Sequence, residues 1–256
     1  MSSAYLPDFI ANAEEQLELL VPAAAAGGTD IKGLHMLCDQ FRQRGVCTFL
    51  LTGDARAFHL GAMQSAGAYR ALLPRIDESQ RITSWAKPFY DAVSGAFWDC
   101  AGDIARSSRL TWNSAREYED DFLFVLFLMR HFFLGATEVE ARAIVAAHEK
   151  AAEGEDEAHR AVCLALLEKD SDGFDTALRK ILADRARRVE GMVERDALPE
   201  EAWSWLRYFS SEGLALVKLA ERAGLTPGPD YRHVSEALRR LPPLALDPDA
   251  WRTPKR

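Results

Sequence analysis

Apolar residues recur along this chain at intervals of three and four, the spacing that lines one face of an α-helix. A first helix is predicted from about Pro7 to Ala26, with Phe9, Ile10, Ala13, Leu17, Leu20 and Val21 on one side. Gly27 and Gly28 end it, because glycine reaches the left-handed conformation that closes a helix. Asp30 then caps a short second helix, to about Arg44, burying Ile31, Leu34, Leu37, Cys38 and Phe41. A third runs from about Thr48 to Leu73 and is closed by Pro74; Arg75 to Thr83 reads as a polar connector. Pro88 suits the first turn of the next helix, whose face is Phe89, Ala92, Val93, Ala96 and Phe97. Beyond a loop from Ser107 to Trp112, Asn113 or Ser114 caps a helix that starts acidic, with Glu117, Glu119, Asp120 and Asp121. Carboxylates at that end are favoured by the backbone dipole. The same helix continues as Phe122 to Leu134, apolar all round, and stops at Gly135. A helix without a polar face must be covered on every side, which puts it at the centre of the core.

Thr137 and Glu140 have the spacing of a capping box, opening a helix through Ile144 and Val145 to Ala152. Gly154 separates it from Asp156 to Lys169, where Ala158, Ala161, Val162, Ala165 and Leu166 face inward. Asp170 to Gly173 form a turn, and Phe174 to about Glu194 follows on Phe174, Leu178, Ile181, Leu182, Val189 and Met192. Pro199 starts the last long helix, to Ala223, which Gly224 and Pro227 end. Ser235 to Leu241 is a short final helix, and a proline-rich tail from about Pro242 to Arg256 is irregular. No run alternates with period two for long and no Asn-Gly or Asp-Gly turn occurs, so strands are not expected. The expectation is an all-α single domain over residues 1–256. It comprises about eight or nine antiparallel-packed helices around one apolar central helix.

Composition fits a globular protein, with 48% hydrophobic and 27% charged residues among 256. Basic residues number 31 against 39 acidic ones, a formal charge of −8. No global basic field is present to capture nucleic acid or anionic lipid, so neither is expected as a partner. The apolar run Phe122 to Leu134 would reach about 20 Å, short of the roughly 30 Å hydrocarbon core of a membrane. The opening Met-Ser-Ser-Ala-Tyr-Leu-Pro-Asp has no basic, apolar signal pattern, which favours a cytoplasmic protein. Cys38, Cys47, Cys100 and Cys163 show no CxxC spacing and read as buried reduced thiols.

Catalytic and metal-binding patterns fall away on inspection. Asp170-Ser-Asp172-Gly-Phe-Asp175 opens like a calcium loop, but its glycine comes at position four and position twelve is Ile181. Glu117 and Asp121 share a helix face, yet no second acidic motif matches them as a metal–pyrophosphate enzyme requires. Asp156 and His159 have di-iron spacing, but a single pair is not a site. His131 reads as a core histidine, and His35, His59, His148 and His233 show no mutual metal spacing. No nucleophile elbow, phosphate loop or dinucleotide fingerprint appears. No catalytic residue, metal or cofactor is therefore assigned.

Three surface features remain. Glu117 to Asp121 and Glu153 to Glu157 each pack four carboxylates into five residues, opposed by a basic stretch of Arg179, Lys180, Arg185, Arg187 and Arg188. Such runs are ordinarily solvated helix faces with internal ion pairs. Their functional reading is an acidic surface whose self-repulsion is relieved by docking a basic protein. Trp203, Trp205, Tyr208 and Phe209 are spaced as core residues, although exposed aromatics are also interface anchors.

The run Arg207-Tyr-Phe-Ser-Ser-Glu-Gly-Leu-Ala-Leu-Val-Lys-Leu-Ala-Glu-Arg-Ala-Gly-Leu225, followed by Pro-Gly-Pro-Asp-Tyr231, resembles the C-terminal region of the immunity protein 49 family. Leu164 to Leu178 is a weaker echo, in which helix, turn and helix recur. Ser210, Ser211 and Gly213 are small enough to admit a neighbouring helix, and Leu214, Leu216, Val217, Leu219 and Ala220 fill the core. The resemblance implies a bacterial protein that neutralises a toxin of a polymorphic toxin system, and it carries no active-site residues. The leading expectation is an immunity protein that binds and blocks a cognate toxin with a basic surface, without catalysis. The residues expected to meet it are Glu117, Glu119, Asp120, Asp121, Glu153, Glu155, Asp156 and Glu157. A helical scaffold or regulator that holds a peptide or partner helix is the second reading, and a metal-dependent helical enzyme the third.

Overall fold

The computed structural model describes residues 4–154, 157–195, 197, 205–242, 245, 247 and 249–253. Among these it contains eleven α-helices and no β-strand; Tyr231 and Val234 form one isolated bridge. The helices are α1 (Leu6–Ala25), α2 (Ile31–Thr52), α3 (Ala55–Leu72), α4 (Lys87–Ser94), α5 (Trp98–Ser107) and α6 (Glu119–Phe133). They continue as α7 (Glu138–Ala151), α8 (Glu157–Glu168), α9 (Ser171–Glu194), α10 (Ser211–Arg222) and α11 (Glu236–Arg240). The all-helical expectation holds, with more and shorter helices than the eight or nine anticipated.

Several boundaries differ from the periodicity reading, each for a local reason. The break expected between Arg44 and Thr48 falls instead at Gly53, which takes φ +76° after α2 has run through to Thr52. Gly45 is therefore a contact residue inside a helix. A Cβ on Gly61 would lie 2.5 Å from the Phe41 carbonyl oxygen, and its own backbone packs on that of Gly45. Gly45 and Gly61 stand equally far before and after Gly53, so α2 and α3 form an antiparallel hairpin whose backbones touch at two glycines. The helix read across Phe89 to Phe97 ends early, at Ser94, and Ala96 at φ +57° separates it from α5, which starts at Trp98. Asn113 does not cap α6, which begins at Glu119 behind Tyr118. The expected turn at Asp170 to Gly173 is the first turn of α9, with Asp170 as its cap accepting from Gly173 N at 3.0 Å. The long helix expected from Pro199 to Ala223 is interrupted at its N-terminal end. Ser210 caps α10 there, accepting from Gly213 N at 3.0 Å, and Pro199 itself lies outside the described residues. Thr137 and Glu140 make the capping box that their spacing predicts.

α1 packs on α2, α6 on α7 and α8 on α9, while α3 and α10 both pack against α4. One hydrophobic cluster runs through nearly every helix, from Leu6 to Trp251. Phe122 to Met129 of α6 are all buried, but Arg130 to Leu134 are half-buried, so the expected all-round cover ends one turn before the helix does; Leu214 to Val217 of α10 are fully enclosed. The tail is more ordered than expected at one point. Trp251, in a short 3-10 turn, is fully buried beside α3, where Gln64 Nε2 donates to the Ala250 carbonyl at 3.2 Å. Cys38, Cys47 and Cys163 are buried free thiols, and Cys100 is half-buried. No helix among the described residues is long and apolar enough to cross a membrane.

A buried ion pair ties the hairpin to α4. Arg42, 1% exposed, donates to both oxygens of the fully buried Asp91, Nε to Oδ1 at 2.8 Å and Nη2 to Oδ2 at 2.5 Å. Ser65 donates to the same carboxylate at 2.6 Å, and Arg42 also pairs with Asp39. Burial pushes the Asp91 carboxyl up despite Arg42, while Arg42 is held protonated by the two carboxylates in spite of its own burial.

Candidate interaction site

The loops flanking α4 and α6 are zipped together by polar contacts. Arg81 donates to the carbonyls of Ile76 at 2.9 Å and Ser107 at 2.7 Å, and Asn113 Nδ2 to that of Ser79 at 3.0 Å. Glu117 closes the zip, its carboxylate accepting from Ser84 N at 2.8 Å and Asn113 N at 3.3 Å. Its carbonyl accepts from Trp112 Nε1 at 3.0 Å. Three exposed aromatics, Trp85, Trp112 and Tyr118, are thereby held around one residue; Tyr118 is 78% exposed. None of the three was singled out from sequence, because isolated aromatics in loops carry no periodic signal. Of the aromatics that were, Trp205 and Phe209 are core, Tyr208 is exposed, and Trp203 lies outside the described residues.

Beside this patch opens a cleft of about 580 Å³. Its walls are the start of α4 (Lys87, Tyr90), the loop before α6 (Arg116, Glu117, Tyr118), the first turns of α6 and α8, and one face of α9. Glu212, in the first turn of α10, sits within it and meets His159 of α8, Nε2 to Oε1, at 3.0 Å. The Phe124 ring packs edge-on against His159 at 4.4 Å. Burial pushes the Glu212 carboxyl up, but the His159 hydrogen bond and charge, with Arg185 and Arg188, outweigh it and hold the group below its ordinary range. An ionised Glu212 can only accept, so His159 Nε2 carries the shared proton. Tyr90 is buried beside these groups, and burial with Glu212 and Asp121 raises its hydroxyl pKa.

The charges of the cleft balance on paper, with Lys87, Arg116, Arg185 and Arg188 against Glu117, Asp121, Asp184 and Glu212. They are unequally engaged. Asp184 pairs with Arg187, and Arg185 donates at 2.8 Å to the carbonyls of both Leu206 and Phe209. The side chains of Arg116 and Arg188, both exposed, make no hydrogen bond or ion pair with any described residue. The basic stretch read along α9 thus divides. Arg179 pairs with Asp175 at 2.8 Å, Lys180 with Glu157 at 3.5 Å and Arg187 with Asp184, whereas Arg185 and Arg188 face the cleft.

The described members of both acidic clusters lie at this end of the molecule. Phe122, Leu123 and Leu126 of α6 pack against Ala151 at the end of α7, so Glu119 to Asp121 neighbour the turn that carries Glu153. Glu117 and Asp121 line the cleft; Glu119 and Glu153 are exposed and Asp120 partly so. The side chains of Glu119, Asp120 and Glu153 make no hydrogen bond or ion pair with any described residue. Glu157 faces Lys180, and Glu155 and Asp156 lie outside the described residues. No group of three His, Cys, Asp or Glu side chains arranged to hold a metal occurs among the described residues.

The model of the family described as Immunity protein 49 covers residues 44–232, which includes every residue lining the cleft. No curated protein and no solved structure matches the chain. Since the match takes in most of the sequence and the fold is all-helical as the resemblance implies, the chain belongs to the immunity protein 49 family.

Proposed function

We propose that this protein, acting as one unit, neutralises a cognate bacterial toxin by protein–protein contact and carries out no reaction of its own. Membership of an immunity protein family supports a toxin partner. The observation that carries the mode of contact is the open acidic end, where the side chains of Glu119, Asp120 and Glu153 have no partner among the described residues beside an exposed aromatic patch. Unpaired like charges held close together raise the energy of the free protein, and a cationic partner relieves that repulsion while accelerating encounter. The toxin face is accordingly basic, with Trp85, Trp112 and Tyr118 supplying rigid apolar contact. Glu155 and Asp156 extend the same acidic stretch in sequence. Nucleic acid and membranes are not partners in this reading, and the site of action is the cytoplasm.

The test is association kinetics with the toxin encoded by the adjacent gene. Reversing Glu119, Asp120 and Glu153 to lysine together should slow association about tenfold or more at low salt and much less at high salt. Unaltered association at low salt would reject this surface. Co-expression with the same toxin, scored for survival, tests neutralisation itself.

A further inference from the structure

The cleft beside the acidic end has the opposite need. Of its four carboxylates, Glu117 is held by two backbone N–H groups, Glu212 by His159 and Asp184 by Arg187. Its open groups are cations. Arg185 and Arg188 stand one helical turn apart on α9, and Arg185 is pinned to two carbonyls while the Arg188 side chain has no such partner among the described residues. Burial depresses the Arg185 pKa; Glu212 opposes that shift, and the Arg188 charge adds to it. Arg116 adds a second open guanidinium from the loop before α6. A guanidinium offers five donors in a planar fork that matches a carboxylate. With the formal charges of the cleft in balance, its two open arginines suit a single negative charge better than a phosphate dianion, which four neighbouring carboxylates would repel. Trp85 and Tyr118 at the mouth provide apolar cover for whatever carries that charge.

We propose that the cleft receives an acidic side chain, an Asp or Glu on a projecting segment of the toxin, which Arg116 and Arg188 clasp. This rests on the contact reading above and deepens it. The interface then alternates in sign, with open acids around the rim and open arginines within. Such alternation selects partners more sharply than a uniformly acidic face, because a toxin with the wrong order of charges meets like against like.

The experiment measures binding of the adjacent-gene toxin to wild type, to Arg116→Glu/Arg188→Glu, and to Arg116→Lys/Arg188→Lys. Both positions are exposed, and circular dichroism verifies that the variants fold. The glutamate pair should raise the dissociation rate at least about tenfold, with the lysine pair intermediate. A lysine in place of one toxin Asp or Glu should restore binding to the glutamate pair. Wild-type affinity in the glutamate pair would overturn the proposal and leave the contact reading standing. If wild type itself fails to bind the toxin, the contact reading falls, and the toxin as occupant of the cleft falls with it. The carboxylate preference is then judged with N-acetyl-L-glutamate amide as probe, followed by tryptophan fluorescence. Saturable binding that the glutamate pair abolishes supports the preference, and binding that is absent or unaffected by the pair overturns it.

Discussion

At the scale of single residues, burial decides what each charged group does. Asp91 is wholly enclosed and its acceptors are filled by Arg42 and Ser65. Removing one member leaves a buried charge without its partner, so Asp91→Ala should cost about 3–5 kcal/mol in a urea titration. His59 is almost entirely buried, and burial with the nearby charge of Lys218 lowers its pKa from 6.5 to about 4. Between those values the unfolded chain binds a proton that the folded chain refuses, so stability falls as pH drops through this window. His59→Leu should flatten that acid limb by an amount on the order of 3 kcal/mol, read as the change in stability between pH 7 and pH 4. A variant with the wild-type slope would assign acid sensitivity to other groups. His35 and His233, also lowered to about 4, add slope of the same sign.

At the scale of elements, glycine has two distinct uses in the α2–α3 hairpin, and they predict different responses. Gly61 allows backbone contact with Phe41 and Gly45, so Gly61→Ala drives a methyl group into a carbonyl and should cost about 1–3 kcal/mol. Gly53 faces open space but has a positive φ, so Gly53→Ala should cost about 1 kcal/mol through backbone strain alone. Urea midpoints of the two variants separate these costs. The same glycines mark where periodicity misleads. Gly45 lies in an otherwise apolar helical pattern and reads as a break, because the close approach that requires it involves residues on another helix. Conversely Ala96, which cuts α4 from α5 with a positive φ, is a strong helix former and gives no local warning. The all-apolar stretch of α6 and the capping box of α7 were legible because their causes lie within one or two turns of chain.

At the scale of the molecule, the acidic clusters were visible in sequence while the cleft beside them was not. Runs such as Glu117 to Asp121 announce themselves by composition. The pairing of His159 with Glu212 joins residues 53 positions apart, and Arg116 and Arg188 line the cleft from different elements. The one local hint was Glu212 in the first turn after the small Ser210 cap, a position that fixes its direction once α10 docks on α9. The account of function turns on the protein acting as a binding partner and not as a catalyst. Titrating the adjacent-gene toxin with this protein, while following toxin activity and intact mass, tests that most directly. The account predicts activity falling linearly to an equimolar end point, with the toxin's mass unchanged and its activity recovered on dissociation. Inactivation by far less than one equivalent, or a toxin altered in mass, would contradict it.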